Sequence, residues 1–128
     1  MQNNAKEWLK RAKSNLNRGK ECDHLDLREI FIEDLCFDLQ QSVEKTLKAV
    51  LKFNNIEYPY THSIAKLITV MEKNGIEVPP QVKKSARLTP FAVETRYTDD
   101  LIEVTDDIYK EAVEIANNVY SWAKEIIQ

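Results

Sequence analysis

Between Ile30 and Tyr58 the chain contains no glycine and no proline, and inside that stretch apolar residues return at helical intervals. Leu35, Cys36, Leu39, Val43, Leu47, Val50 and Leu51 are spaced by threes and fours, which places them on one face of an α-helix. The pattern predicts a helix of about 22 residues, well above the mean of about 11–12, and therefore the spine of a helical bundle. The other side carries Gln40, Gln41, Glu44, Lys45, Lys48 and Lys52. Gln41, Lys45, Lys48 and Lys52 are read there as a second, polar stripe, with Lys45 and Lys48 projecting from one side.

Further helices follow from the same reasoning. Ala5, Trp8, Leu9, Ala12 and Leu16 form a stripe over residues 4–18, with Trp8 as a core anchor, and Gly19 can end that helix in a left-handed conformation. Residues 19–29 are polar and acidic and read as a connection with at most one helical turn. Asn54 and Asn55 mark the end of the spine, and Pro59 turns Tyr58 away from helical geometry. Thr61 or Ser63 can cap a helix carrying Ile64, Leu67, Ile68 and Met71, which stops at Asn74-Gly75. Pro79-Pro80 opens a short helix closing near Leu88. In residues 88–105 Pro90 interrupts a helix, while Val93, Thr95 and Tyr97 alternate without a partner strand. A short helix or ordered loop is expected there. Thr105, followed by Asp106 and Asp107, caps a last helix with Ile108, Ala112, Ile115, Val119, Trp122 and Ile126 facing inward. The expected fold is all-α: one domain over residues 1–128, an antiparallel up-and-down bundle of four to five helices.

Only two glycines and four prolines occur, which argues against an all-β fold, and no apolar run is long enough for a membrane span or a secretory signal. Cys22 and Cys36 match no zinc or redox spacing, and the absence of an export signal points to reduced thiols in a cytoplasm. Net charge is −3 and alternates along the chain. Residues 1–20 carry six basic side chains and one acidic. Residues 21–39 carry seven acids and one arginine, residues 40–90 eight basic and four acidic groups, and residues 91–128 nine acids and three basic groups. Long phosphate tracking normally needs a basic protein, so any nucleotide or RNA contact should be local, on the first helix or the middle block.

The run Leu39-Gln40-Gln41-Ser42-Val43-Glu44-Lys45-Thr46-Leu47-Lys48-Ala49 resembles the QQAxEKxxKA signature of the HEPN family (higher eukaryote and prokaryote nucleotide-binding), with Ser42 in place of alanine. Pro59-Tyr60-Thr61-His62-Ser63-Ile64 resembles that family's P-x-T-H-x-L, with Ile64 in place of leucine. The segment from Leu88 through Arg96-Tyr97 is similar to its L…RYP, with Thr98 in place of proline. Three short motifs in the right order cover nearly the whole chain.

The resemblance implies a cytoplasmic helical bundle, commonly a homodimer. It also implies a partner role beside a minimal nucleotidyltransferase in a toxin–antitoxin-like pair, and in some members metal-independent RNA cleavage by an R-x(4–6)-H dyad. The literal match here, Arg18 to His24, lies at the end of the first helix, and chance alone supplies about 0.2 such hits. No histidine follows Arg96, where the dyad would belong. The ligand-binding candidates are therefore Lys45, Lys48, His62, Arg96 and Tyr97. The amines and the guanidinium could hold phosphate, and Tyr97 could stack on a base. If the protein is a nuclease, Arg96 and His62 are its candidate catalytic groups. A local Glu44–Lys48 pair and a structural His62 are the competing reading of the same residues. No metal or cofactor is expected. The leading expectation is a nucleotide- or RNA-binding interaction module. The alternatives are a ribonuclease toxin with an atypical site and a purely structural partner, and modification of Tyr97 by a partner is left open.

Overall fold

The computed structural model describes residues 4–92 and 103–128. Among them are helices α1 (Ala5–Gly19), α2 (Leu25–Arg28), α3 (Ile32–Phe53), α4 (Ile64–Lys73) and α5 (Pro80–Lys83). A 3₁₀ helix follows at Lys84–Phe91, then α6 (Asp106–Ile127). No described residue is in a strand. α1 packs along α3, and α6 packs on both. α1 runs antiparallel to the other two: Trp8 lies beside Lys52, Asn15 beside Asp38, and Gly19 beside Tyr109. No helix of the described residues is long and apolar enough to cross a membrane.

α3 has the expected length of 22 residues, and its whole predicted stripe, Leu35 through Leu51, is buried. Its end sets up everything that follows. Asn55 takes a left-handed φ of 56°. The Ile56 N–H then reaches the Leu51 carbonyl at 2.9 Å, and the Asn55 N–H reaches the Lys52 carbonyl at 3.0 Å. This is a Schellman closure, which satisfies orphan carbonyls while reversing the chain. Gly75, at φ 82°, ends α4 the same way, with Ile76 N–H on the Met71 carbonyl at 3.0 Å. Ser63 caps α4 by accepting from the Lys66 N–H, and Thr105 caps α6 by accepting from Ile108.

Four local expectations change. Gly19 is the last residue of α1 and is needed for close approach, not for a left-handed turn. A Cβ there would stand 2.6 Å from Leu39 Cδ2 and 3.2 Å from the Leu35 carbonyl. The buried stripe of α6 is turned by about one residue. Tyr109, Ala112, Ile115, Ala116, Val119, Ala123 and Ile127 face the core, while Ile108 is exposed and Trp122 and Ile126 are half-buried. Two of the residues brought inward are alanines, Ala116 and Ala123, which suit a helix that packs on both α1 and α3. Trp8 is half-buried at the margin of the core, not an anchor inside it. The segment after α5 tightens into a 3₁₀ helix around Pro90, whose missing N–H cannot continue an α-helical ladder. Val93, Thr95, Arg96, Tyr97 and Thr98 lie outside the described residues.

Candidate functional site

The polar side of α3 is not a solvated face. Gln40, Glu44 and Lys48 are 0%, 4% and 7% exposed, because the chain leaving the Schellman turn folds back across them. That returning segment carries Tyr58, Tyr60 and His62. The Glu44 carboxylate collects three partners there. Lys48 Nζ lies 2.8 Å from Oε2, His62 Nδ1 lies 2.9 Å from Oε1, and Gln40 Nε2 donates to Oε1 at 3.2 Å. Gln41 in turn donates to Gln40 Oε1 at 2.8 Å. Burial alone would raise the Glu44 pKa and is its largest single influence. The hydrogen bonds from Lys48 and His62, the Lys48 charge and the Gln40 contact together outweigh burial and hold the group below its usual value. Glu44 is therefore ionised, so His62 Nδ1 carries the shared proton. Nε2 is left as the ring's other functional atom.

His62 is one-third exposed and lines an open cleft of about 690 Å³. Tyr60, Thr61, Ser63, Thr89 and Pro90 complete the walls with three alanines. The cleft sits at the N-terminal end of α4, where the Thr89 hydroxyl accepts from the Ile64 N–H at 3.3 Å. A helix N-terminus carries partial positive charge and favours anions. Tyr60 stands at the rim, 93% exposed, edge-on to His62 with ring centroids 6.0 Å apart.

A chain of rings and ammonium groups leads away from this rim. Lys48 Nζ lies 6.0 Å from the Tyr60 ring centroid and 5.9 Å from that of Tyr58. Lys52 Nζ lies 5.9 Å from Tyr58 and 5.5 Å from Trp8. Each ammonium thus serves two aromatic faces at cation–π range. Burial, and then the Glu44 charge, raises the Tyr58 pKa, so its ring stays neutral.

Lys45 and Lys48, expected from the sequence to be neighbours on one side, belong to separate networks. Lys45 Nζ donates to Asn15 Oδ1 at 2.7 Å, and Asn15 donates to Asp38 at 2.9 Å. Arg18 joins through its bond to Asp38 at 3.0 Å. Burial, followed by the charges of Arg18 and Arg11, lowers the Lys45 pKa. Lys45 is thus on the α1 side of α3, and Lys48 is under the returning segment. Arg18 is engaged with Asp38 and Ser14, while His24 sits at the start of α2 with a left-handed φ of 55°. Arg96 and Tyr97 lie outside the described residues, so of the five sequence candidates Lys48 and His62 are brought together here.

Three contributors escape sequence reasoning. The sequence marks Glu44 only as a local helix partner of Lys48, although the two on-helix bonds of its carboxylate, to Gln40 and Lys48, follow from i, i+4 spacing. Tyr58 and Tyr60 bracket Pro59 and carry no signal in the sequence beyond a turn. No group of three His, Cys, Asp or Glu side chains among the described residues could hold a metal ion.

A family model and a solved structure name the same family. The HEPN domain model matches residues 5–126. The chain superposes on the crystal structure of ST0689, an archaeal HEPN homologue, with a TM-score of 0.72, 24% identity and full coverage of both chains. It also superposes on the crystal structure of TT1696 from Thermus thermophilus with a TM-score of 0.78 and 25% identity, over 97% of this chain and 98% of that one. No curated protein sequence matches it.

Proposed function

The chain belongs to the HEPN domain family, and we propose that it is a nucleotide- or RNA-end-binding interaction module whose ligand occupies the cleft at His62. The observation that carries this reading is Tyr60. A large ring held 93% exposed beside an oriented imidazole is a stacking face offered to a ligand. The cleft behind it supplies what a phosphate needs: the N-terminal end of α4 and the hydroxyls of Thr61, Ser63 and Thr89. Glu44 and Lys48 fix the imidazole from behind. The proposal includes the family-level expectations of a homodimer and of a minimal nucleotidyltransferase partner in a toxin–antitoxin-like pair. Light scattering and co-purification test those.

The direct test is equilibrium binding of a nucleoside monophosphate to the wild type and to Tyr60→Ala and His62→Ala. Both substitutions should weaken binding at least tenfold; the melting temperature should stay little changed in Tyr60→Ala, whose ring is 93% exposed, and fall in His62→Ala, which deprives the buried Glu44 carboxylate of a hydrogen bond. Equal affinity in all three proteins would overturn the site.

One observation favours a second reading, the metal-independent ribonuclease. A carboxylate that fixes the proton on Nδ1 leaves Nε2 free to take a proton from a 2′-hydroxyl, the usual division of labour in general base catalysis. Incubation with single-stranded RNA in EDTA decides it. Cleavage lost in both His62→Ala and Arg96→Ala would make the module an enzyme.

A further inference from the structure

We infer that the cleft continues into a track for single-stranded nucleic acid, running from Tyr60 over Tyr58 to Trp8, so that the preferred ligand is an oligonucleotide. This rests on the cleft reading and extends it to ligand class. The three rings come from separate places, one from α1 and two from the segment after α3, yet they are joined by shared ammonium groups into one row. Tyr60 is exposed and Tyr58 and Trp8 are half-buried, so the row is a surface feature margining the core.

Rings interleaved with cations suit a strand whose bases are unpaired. Each base has a face to stack on, and each phosphate meets positive potential. Paired bases in a duplex offer no such faces. The row also ends on a basic part of the chain: residues 1–20 carry six basic side chains, and Arg11, one helical turn from Trp8 on the same side of α1, is exposed. Lys48 is committed to Glu44, so within the row it holds Tyr58 and Tyr60 in place, and the phosphate-facing charge comes from the α1 end.

The experiment uses the full chain carrying Trp122→Phe, which leaves Trp8 as its single tryptophan. Oligoadenylates of one, three and six nucleotides, as RNA and as DNA, are titrated by Trp8 fluorescence and by calorimetry. Affinity should rise about tenfold or more from one to six nucleotides, with Trp8 quenched by the longer ligands and not by the mononucleotide. Tyr58→Leu and Trp8→Leu, which remove the ring and keep an apolar side chain, should abolish the length gain, and Trp8→Leu, outside the cleft, should leave mononucleotide affinity unchanged. A duplex of the same length should bind like the mononucleotide or worse. Affinity independent of length, or a length gain that survives both leucine variants, overturns the track while the cleft stands. Failure of every ligand, the mononucleotide included, overturns the cleft reading and the track with it. A lowered melting temperature in the leucine variants with unchanged oligonucleotide affinity shows that the row only latches the segment, and also overturns the track. Equal binding of RNA and DNA supports recognition by stacking; a requirement for RNA places a 2′-hydroxyl contact on the same track and supports it equally.

Discussion

Glu44 Oε1 lies 2.9 Å from His62 Nδ1, and through this contact the interior of α3 sets the orientation of a ring in the cleft. Glu44 also holds the buried ammonium of Lys48 at 2.8 Å. Removing the carboxylate strands that ammonium, so Glu44→Ala should cost about 3–5 kcal/mol in urea unfolding. Adding Lys48→Met to Glu44→Ala should recover most of the loss, because a neutral apolar chain no longer needs a partner. If the single variant loses less than about 1 kcal/mol, the pair is solvated and does not hold His62 in place.

The same carboxylate predicts a pH dependence. Its pKa in the folded protein is below the usual 4.5, so folding favours the ionised form. The contribution is complete above the ordinary carboxylate range. It fades as pH falls through 4.5 and is gone below the depressed folded value. Unfolding free energy measured from about pH 7 down to about pH 3 should therefore drop more steeply in the wild type than in Glu44→Gln. Parallel curves would show that Glu44 is not the responsible group.

On α6, Ile115 is 3% exposed and Ile108 is 40% exposed, although both fall on the stripe read from sequence. Ile115→Ala should cost about 2–5 kcal/mol, and Ile108→Ala should stay within about 0.5 kcal/mol. Thermal unfolding of the two variants side by side checks the orientation of the helix. Equal losses would restore the face centred on Ile108.

These isoleucines show where sequence reasoning reaches its limit. The α3 stripe is legible because a long helix with seven apolar positions allows only one orientation. α6 offers two overlapping apolar stripes. The choice between them depends on tertiary fit, since Ala112, Ala116 and Ala123 admit close neighbours and larger residues do not. The end signals are legible for a local reason: asparagine or glycine after a helix adopts a left-handed turn at little cost, as Asn55 and Gly75 do. The site is half legible. The motif around His62 identifies the ring, and spacing pairs Glu44 with Lys48. Nothing local, however, says that the chain after Asn55 returns over α3. Burial of Glu44, the separation of Lys45 from Lys48 and the alignment of Trp8 with Tyr58 all follow from that return.

The two cysteines should differ sharply in reactivity. Cys36 is fully buried, and burial first, then the Glu33 charge, pushes its thiol up to about 12. Almost no thiolate exists there at neutral pH, and the thiolate is the reactive form. Cys22 is exposed. A thiol-specific chromogenic reagent at about pH 8 should therefore label one equivalent quickly in the native protein and a second only after denaturant is added. Rapid labelling of both thiols would mean that the α3 core opens readily.

Gly19 tests how closely α1 is seated on α3. Its missing Cβ leaves room for Leu39, whose Cδ2 would otherwise be 2.6 Å away, and Leu39 is itself fully buried. Neither the side chain nor the Leu35 carbonyl behind it can yield without disturbing the core. Gly19→Ala should therefore destabilise by about 1–3 kcal/mol, despite alanine's better helix propensity. The same contact makes the loss specific. Leu39→Ala alone should cost about 2–5 kcal/mol, and the double variant should cost less than the two singles added, because the methyl introduced by Gly19→Ala enters space that Leu39 vacates. The hydroxyl of Tyr109 donates to the Gly19 carbonyl at 2.6 Å, so a shift of α1 would also stretch that bond. Tyr109→Phe in the Gly19→Ala background should then cost less than in the wild type. Strict additivity in both cycles would mean that α1 moves away as a rigid body and that the close approach at Gly19 does not hold the two helices together.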